Sequence, residues 1–373
     1  MKTLRLAVVG AGHLGRLHAL KLRAQPGVEL AGIVDPLPAS RDRVAAEVAA
    51  PAYADCRPLL DSIDAAIIAT PTGHHRQVAL ALLERGVHLL VEKPLALNVR
   101  DAEEMVRAAR QKSVVLQVGH SERFNPALAA ALPYVQEPKF IQAARHSSFA
   151  GRSTDIGVVL DLMIHDIDLV LSMARALPRQ VEALGFALLG RHEDVAHARL
   201  AFDNGCVAVL SASRVSYQSE RRMQIWSRWG FAALDFAGPT AAFVRPCEAV
   251  RERRFDVEDL APAERLTIKD RLFTELLPLE QLPIEPCDAL TAEQADFLDS
   301  IRSLRAPRVS GEAGRDALAV AEQVLARIET HSWDGAAGGA FGPLAVPAPR
   351  VIPTPHFDLS PAAAIASAER RAG

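Results

Sequence analysis

A glycine-rich turn near the N-terminus constrains the fold more than any other feature of the chain. Gly10-Ala11-Gly12-His13-Leu14-Gly15 has the spacing G-x-G-x-x-G and directly follows the apolar segment Leu4–Val9. In such a turn the first glycine permits a tight bend, the second lets the backbone approach a pyrophosphate, and the third lets the helix pack closely on the sheet. The pyrophosphate then lies at the positive end of the helix dipole. We therefore predict a dinucleotide-binding turn, with a tight turn of another α/β protein as the alternative.

The first 119 residues alternate short apolar segments with amphipathic ones. We predict strands over residues 4–9, 28–34, 65–69, 88–91 and 114–118, and helices over 14–24, 39–49, 76–85 and 101–111. Repeated strand–helix units of this kind imply a parallel, doubly wound sheet. Residues 1–119 are therefore predicted to form a Rossmann dinucleotide-binding domain.

An acidic residue at the end of the second predicted strand indicates which dinucleotide binds. Asp35 follows Gly15 by 20 residues, the position from which a carboxylate accepts hydrogen bonds from the adenosine ribose. We expect NAD, because the same carboxylate repels a 2′-phosphate. The nearby Arg41 and Arg43 leave NADP as the alternative cofactor.

The pattern changes after about residue 120. A long apolar segment with helical spacing covers residues 157–174, and strand-like runs follow over 181–189, 196–202, 206–214, 223–228 and 232–236. Asp203-Asn204-Gly205 between two of these runs is a hairpin signal. We predict an α+β domain over residues 120–333, built on a large, mostly antiparallel open sheet.

Two helices and a tail are expected at the C-terminal end. Thr291, with Gln294 three residues later, predicts a capping box that begins a helix through about residue 304, and a second helix covers 312–330. These late helices could pack back on the first domain. Residues 334–373 are rich in Gly, Ala and Pro without a periodic apolar face, so we expect a disordered extension there.

Charge and cysteine content exclude several classes of function. Lys and Arg number 42 against 45 Asp and Glu, a net charge of -3, which argues against a nucleic-acid or membrane-surface binder. The four cysteines are far apart and form no C-x-x-C pair, so neither a disulfide framework nor a structural zinc site is expected. No apolar run reaches the roughly 20 residues that a membrane span requires. We expect a cytoplasmic protein.

Two motifs follow predicted strands at the edge where open α/β sheets bind ligands. In Glu92-Lys93-Pro94 the lysine could donate to a substrate hydroxyl or a cofactor ribose, and a solvated loop lysine is the alternative. Thr70-Pro71 follows the neighbouring strand, and His75 begins a helix beside the same crevice. We predict that His75 lies near the nicotinamide, with helix capping or packing as the alternative.

The helix predicted over residues 157–174 carries ionisable groups among Val, Leu, Met and Ile. Asp161, His165 and Asp168 recur at i, i+4 and i+7, which places them on one helix face. Burial of such groups costs several kcal/mol unless they are paired or have a functional role. An adjacent carboxylate would hold the imidazole in one orientation, so that it can act as a base. A structural Asp–His pair is one alternative. A metal site of the same three residues is another, but no cysteine or second histidine strengthens it, and we predict no metal.

The ordered set of motifs resembles the Gfo/Idh/MocA family of NAD(P)-dependent sugar oxidoreductases over about residues 3–330. The motifs are Gly10–Gly15, Thr70-Pro71 with His75, Glu92-Lys93-Pro94, Arg123-Phe124-Asn125-Pro126, Gly157-x-x-x-Asp161-x-x-x-His165 and Val309-Ser310-Gly311-Glu312. The resemblance implies a catalytic group of Lys93, Asp161 and His165, and a sheet face that supports a homodimer or homotetramer. Cofactor contacts are expected from Gly10, Gly12, His13, Leu14, Gly15, Asp35, Thr70, Pro71, His75, Glu92 and Lys93.

Within the family, residues 119–126 and 161–168 are similar to those of bacterial enzymes that oxidise the 3-hydroxyl of UDP-N-acetylglucosamine toward diamino sugars of lipid A-type glycolipids. In this interpretation His165 is the general base, Lys93 donates to the reacting oxygen, and Asp161 orients both. Arg123, Asn125 and Asp168 are substrate-contact candidates.

The diphosphate of such a substrate needs cations, and Arg145, Arg152, Arg221 and Arg222 are available without a ranking. Two other functions remain open at this point. One is oxidation of another polyol or sugar, such as inositol, glucose or a dTDP-keto sugar, by the same fold. The other is a non-catalytic, dinucleotide-dependent sensor.

Overall fold

The computed structural model describes residues 3–149, 151, 156–333 and 340–345. Most of the predicted tail, residues 334–339 and 346–373, lies outside this range, and so does Arg152.

The N-terminal part of the chain forms a six-stranded parallel sheet. Its strands are β1 (Leu4–Val9), β2 (Val28–Val34), β3 (Ala52–Tyr53), β4 (Ala65–Ile68), β5 (His88–Glu92) and β6 (Leu116–Gly119). The helices between them are α1 (His13–Leu22), α2 (Pro38–Val48), α3 (His75–Leu83) and α4 (Val99–Lys112). The strand order is β3-β2-β1-β4-β5-β6, which confirms the doubly wound Rossmann sheet. Sequence reasoning missed β3, because two residues are too few to show a periodicity.

The second sheet has eight strands. They are β7 (Phe140–His146), β8 (Gln180–Phe186), β9 (Val195–Ala201), β10 (Val207–Ser213), β11 (Glu220–Ser227), β12 (Gly230–Asp235), β13 (Thr240–Val244) and β14 (Leu279–Gln281). Their order is β14-β13-β12-β11-β7-β10-β9-β8, and every pair is antiparallel except β7 with β10. The mostly antiparallel sheet is thus confirmed, as is the hairpin turn at Asp203–Gly205 between β9 and β10.

Strand β7 lies near the centre of this sheet and was not predicted. Its inward-facing positions are Ile141, Ala143 and Arg145, all buried. A charged residue on the buried face interrupts the apolar alternation that marks a strand. The sequence pattern alone therefore does not predict this strand, because the partners of Arg145 come from other parts of the chain.

The second part of the chain also contains six α-helices within the described residues. They are α5 (Pro126–Ala131), α6 (Ile164–Ala174), α7 (Glu248–Arg251), α8 (Pro262–Arg271), α9 (Ala289–Ser303) and α10 (Gly311–Thr330). The predicted capping box at Thr291 is wrong. Asp288 caps α9 by accepting a 2.8 Å hydrogen bond from the Thr291 amide, and Gln294 is fully buried rather than turned back to the helix start.

The segment predicted as one regular helix over 157–174 has two parts. Val159–Met163 form a π-helical turn, and the α-helix begins only at Ile164. The wider turn contains Asp161 and precedes His165. The prediction of one regular α-helix is therefore wrong at its first turn, and the alignment of Asp161, His165 and Asp168 on one face stays a prediction.

The late helices lie against the first sheet. Phe297, Leu298 and Ile301 of α9 belong to the same core as residues of β1 and α1. In α10, a Cβ atom at Gly314 would lie 2.4 Å from Val118 of β6, so the helix backbone rests directly on that strand. Within the described part of the chain, no helix is both long and apolar enough to cross a membrane.

Candidate active site

The glycine turn has room for a ligand at one of its three glycines. A Cβ atom at Gly10, where φ is 101°, would lie 2.5 Å from the Ala69 carbonyl oxygen, and one at Gly15 would lie 1.8 Å from the Gly10 oxygen. These two positions therefore need glycine for the turn itself. A Cβ at Gly12 would meet nothing within 4 Å, so the open side of the turn is free for close approach of a pyrophosphate.

The first turn of α1 is suited to an anion. Gly12 is its N-cap and provides no side-chain hydrogen bond, and the first turn carries no acidic residue. Its backbone N–H groups therefore stay available at the positive end of the helix dipole. His13 and Leu14 lie exposed on this turn, as expected for residues that border a bound dinucleotide.

Asp35 lies beside the turn at the end of β2. Its Oδ2 accepts a hydrogen bond of 2.7 Å from the Ala11 amide, and Oδ1 accepts one of 2.8 Å from Leu37. These bonds fix the carboxylate next to the glycine turn, and each oxygen keeps lone pairs for a ribose hydroxyl. The turn, the free amides and this carboxylate together fit NAD.

Lys93 and Asp161 join the first sheet to the π-helical turn. Lys93 Nζ donates to the backbone oxygen of Asp161 at 2.6 Å and to its carboxylate Oδ1 at 3.0 Å. Since an ammonium has three N–H groups, one of them remains for a ligand. Asp161 therefore orients Lys93, whereas the predicted contact between Asp161 and the His165 imidazole is not among the hydrogen bonds of the described residues.

His165 is held in a positively charged, desolvated environment. Burial, followed by the positive charges of Lys93 and Arg145, holds the pKa of His165 well below its usual range. The imidazole is therefore neutral at pH 7 and able to accept a proton. Its Nδ1 is buried and has no hydrogen-bond partner within the described structure.

His120 contacts His165 and was missed as a site residue. The two rings meet edge to face, with their centroids 5.8 Å apart. His120 is 1% exposed, neither ring nitrogen has a hydrogen-bond partner among the described residues, and burial lowers its pKa. Its position directly after β6, at the ligand-binding edge of the sheet, was the available sequence signal.

Thr70, Pro71 and His75 lie at the carboxyl end of β4. Pro71 is the N-cap of a short 3₁₀ turn over Thr72–His74, and the Thr70 hydroxyl is buried without a partner in the described residues. The ring nitrogens of His75 lie 3.0 Å from the Pro94 oxygen and 2.9 Å from the Thr70 oxygen. With 1% exposure, His75 is better placed to pack this corner than to contact a nicotinamide, and its cofactor role stays a prediction.

The three predicted substrate residues are used within the protein. Arg123 Nε lies 3.0 Å from the Asp168 carboxylate, which is 2% exposed. Asn125 caps α5 through the Ala127 amide and donates to Glu122 and to the Phe236 carbonyl. These contacts favour a positioning role for Asn125 and Asp168, and direct substrate contact stays a prediction for all three residues.

A buried ion cluster supports α6 and was not foreseen. Arg145 donates to both carboxylate oxygens of Asp166, at 3.1 and 2.8 Å, and to Glu122 at 2.8 Å. Asp166 directly follows His165 in the chain. The cluster therefore fixes the start of α6 against β7, because breaking a buried ion pair leaves an uncompensated charge.

A second buried polar cluster lies behind Glu92. Glu92 Oε1 is 2.7 Å from His18 Nε2, and Glu92 Oε2 accepts from the Lys93 amide at 3.2 Å. The Gln294 amide nitrogen faces both the His18 carbonyl at 3.1 Å and His18 Nδ1 at 3.0 Å. The His18 carbonyl can only accept, so the Gln294 atom that faces it is the NH₂ group. This NH₂ group also donates to His18 Nδ1, which therefore carries no proton. The imidazole proton is then on Nε2. Glu92 therefore holds the lysine-bearing strand end in place.

These residues could also be read as a metal site. His18, Glu92 and Glu293 offer ligand atoms within 4.8 Å of one another. A metal would need the lone pair of His18 Nε2, but this nitrogen carries the proton donated to Glu92. In this arrangement the cluster is a hydrogen-bonded network, and the expectation of no metal stays a prediction.

The fold and the site define a nicotinamide-dependent oxidoreductase, and comparison with known proteins gives the family. Residues 4–120 match the NAD-binding Rossmann domain of the Gfo/Idh/MocA oxidoreductases, and residues 134–231 match the C-terminal domain of the same family. The chain belongs to the Gfo/Idh/MocA family, and its first domain is an NAD-binding Rossmann fold.

Three relatives illustrate the range of similarity. UDP-N-acetylglucosamine 3-dehydrogenase of Acidithiobacillus ferrooxidans is 36% identical over 87% of this chain and 97% of its own length. Its crystal structure has a TM-score of 0.76 and covers 88% of this chain and 98% of that one. The NAD-dependent scyllo-inositol 2-dehydrogenase of Bacillus subtilis is 31% identical over 57% of this chain and 68% of its own length. A levoglucosan dehydrogenase solved with NADH, at 17% identity and a TM-score of 0.73, shares the fold over 87% of this chain and 96% of that one.

Proposed function

We propose that this enzyme oxidises the 3-hydroxyl of UDP-N-acetylglucosamine to a ketone with NAD as hydride acceptor. The observation that carries the proposal is the Lys93–Asp161 pair beside a neutral His165, at the ligand-binding edge of the Rossmann sheet. The substrate is suggested by the relative of that name, which matches over nearly its whole length.

His165 acts as the general base. Its Nδ1 is enclosed by protein, so we assign proton abstraction to Nε2. The sugar O–H proton moves to His165 while the hydrogen on the same carbon leaves with its electron pair. NAD, when bound, supplies the carbon that accepts this hydride. The low pKa of His165 keeps its lone pair available at neutral pH.

Lys93 stabilises the charge that develops on the reacting oxygen. The two hydrogen bonds to Asp161 fix the direction of the ammonium before substrate arrives. Its third N–H then points at the reacting oxygen, and the ammonium does not have to reorient during the reaction. A donor that is already oriented in this way lowers the activation barrier. The Glu92 bond to the Lys93 amide fixes the backbone from which this side chain projects.

The same activity suggests where and how the protein works. We infer a cytoplasmic enzyme supplying 3-keto sugars to an amination step toward lipid A-type diamino sugars. We also infer a homodimer or homotetramer, because β7, β11 and β12 alternate buried residues on one face with more exposed residues on the other. Light scattering coupled to size exclusion would test the oligomer.

Mass spectrometry of UDP-N-acetylglucosamine incubated with enzyme and excess NAD tests the reaction. We expect a product lighter by two hydrogens, and an aminotransferase with an amine donor would trap it if the equilibrium is unfavourable. A His165→Asn variant is the matched control and should give no product. Binding of NAD without conversion of this substrate would overturn the proposal, and a panel of inositols, free sugars and other sugar nucleotides would then locate the substrate.

A further inference from the structure

The structure separates the arginines that could bind the diphosphate of a nucleotide sugar. Arg145 is 4% exposed, and its guanidinium donates three hydrogen bonds to Asp166 and Glu122. With both neighbouring carboxylates bound to it, the buried guanidinium offers almost no surface to a ligand. Arg145 therefore belongs to the scaffold and not to the substrate-binding surface.

Arg221 and Arg222 are neighbours on β11 but project to opposite faces of the sheet. Arg221 lies directly opposite Arg145 in the antiparallel pairing of β11 with β7, and residues directly opposite each other point to the same face. Arg221 therefore projects to the face on which Arg145 meets α6. Arg222 projects to the other face, where it pairs with Asp235 at 3.3 Å and Glu220 at 3.7 Å.

Arg221 is exposed, and its side chain has no hydrogen bond or ion pair with another described residue. It is nevertheless within electrostatic reach of the site, because its positive charge helps to lower the pKa of His165. No described carboxylate pairs with this guanidinium, which lies on the same sheet face as the Arg145–Asp166 pair next to His165. A dianionic ligand provides a matching charge.

We propose that Arg221 binds the diphosphate of the nucleotide-sugar substrate. The inference rests on the proposed function and adds the group that would select a sugar nucleotide over a free sugar. A guanidinium presents a planar pair of N–H groups that binds phosphate oxygens bidentately. From the sheet face below α6, it would hold the diphosphate while the sugar ring extends toward His165 and Lys93.

Steady-state kinetics of Arg221→Ala, with Arg222→Ala as matched control, test the proposal. Both variants remove one exposed arginine from the same strand. We expect Arg221→Ala to lower kcat/KM for UDP-N-acetylglucosamine by about tenfold to hundredfold, the effect of losing a hydrogen-bonded charge pair. KM for NAD should stay unchanged, and Arg222→Ala should resemble the wild type.

Inhibition by UDP provides a second measurement, which reports binding of the diphosphate without a reacting sugar. UDP should compete with the sugar nucleotide, and its inhibition constant should rise in Arg221→Ala by a similar factor. Arg221→Lys should recover part of the affinity, because it restores the charge without the bidentate geometry. Equal UDP affinity in wild type and Arg221→Ala would overturn the role of Arg221. If the wild type converts no UDP-sugar and calorimetry detects no UDP binding, the proposed function itself fails.

Discussion

At the residue scale, two of the three N–H groups of Lys93 are bound to Asp161, so the lysine depends on a single partner for its direction. Replacement of Lys93 by Met should lower kcat by about 10²- to 10³-fold, the usual effect of removing one preorganised donor to a developing oxyanion. The NAD dissociation constant, measured by fluorescence titration, should change little. Asp161→Asn keeps the backbone acceptor and should lose less. Wild-type turnover in Lys93→Met would contradict the assignment.

The low pKa of His165 predicts the acid side of the pH–rate profile. Burial and the charges of Lys93 and Arg145 lower this pKa. A free histidine has a pKa of about 6.5 and is half protonated at that pH, whereas His165 is still mostly neutral there. We expect kcat/KM to remain flat from about pH 7 to below 6.5 and to fall only at more acidic pH. An acid limb centred at or above 6.5 would show that the base is solvated or is another group.

Asp35 should determine the choice between NAD and NADP. Its carboxylate is fixed by the Ala11 and Leu37 amides beside the glycine turn, where we expect the adenosine ribose to bind. Asp35→Asn removes the negative charge that repels a 2′-phosphate, so the ratio of kcat/KM for NAD to that for NADP should fall about tenfold or more. Thermal unfolding of the same variant would separate this effect from loss of the two amide bonds. An unchanged ratio in a folded variant would exclude Asp35 from cofactor selection.

Residues whose role depends on local sequence were predictable, and residues brought together from distant segments were not. Gly10, Asp35 and Lys93 each follow a strand at a fixed spacing, so position along the chain already implied position at the sheet edge. His120 also follows a strand directly, but its local sequence did not mark it as a partner of His165, and Glu293 follows no strand. They become site or scaffold residues only because β6 and α9 meet α6 and α1 in three dimensions.

At the element scale, the π-helical turn at Val159–Met163 shows a second limit of sequence reasoning. A period of 3.6 residues was assumed throughout residues 157–174, and the apolar residues fit it. One wide turn changes the direction of every side chain that precedes it, and such turns are frequent at functional sites. Here Asp161, within the wide turn, accepts both of its hydrogen bonds from Lys93.

Helix α9 brings a buried carboxyl group against the strand that carries Lys93. Both oxygens of Glu293 lack a partner among the described residues. Burial, then the carboxylates of Glu92 and Asp296, raise the pKa of Glu293 well above its usual value. The other polar groups of this cluster are His18, Gln117 and Gln294. Glu293 therefore keeps its proton to a higher pH than an exposed glutamate does.

The raised pKa of Glu293 predicts how the free energy of unfolding depends on pH. A glutamate in the unfolded chain has a pKa of about 4.3. Above that pH the unfolded chain ionises while folded Glu293 still holds its proton. The free energy of unfolding therefore falls by about 1.4 kcal/mol for each pH unit until the pH reaches the folded pKa. Glu293→Gln removes this loss while keeping the shape of the side chain. Its free energy of unfolding, measured by denaturant titration, should therefore decline less than that of the wild type between about pH 5 and 7. Parallel curves would show that Glu293 is ionised in the native state.

At the scale of the whole molecule, the proposed catalytic residues come from the two halves of the chain, and the late helices join the two sheets. Lys93 follows β5 of the first sheet, whereas Asp161 and His165 belong to the segment that packs on the second. Helix α10 contacts β6 and α4 on one side and β8 and α6 on the other. The relative position of Lys93 and His165 therefore depends on α10 as well as on their own strands.

This arrangement predicts that NAD stabilises both sheets together. A ligand at a concentration of 100 times its dissociation constant adds about 2.7 kcal/mol to the free energy of unfolding of the cooperative unit that binds it. Because α10 packs on both sheets, we expect one cooperative calorimetric transition whose Tm rises by a few degrees with NAD.

Gly314→Leu would force α10 away from Val118. The variant should therefore show two transitions, and only the transition of the part that contains the glycine turn should respond to NAD. Two transitions in the wild type, with only one shifted by NAD, would show that the sheets unfold independently and that α10 does not couple them.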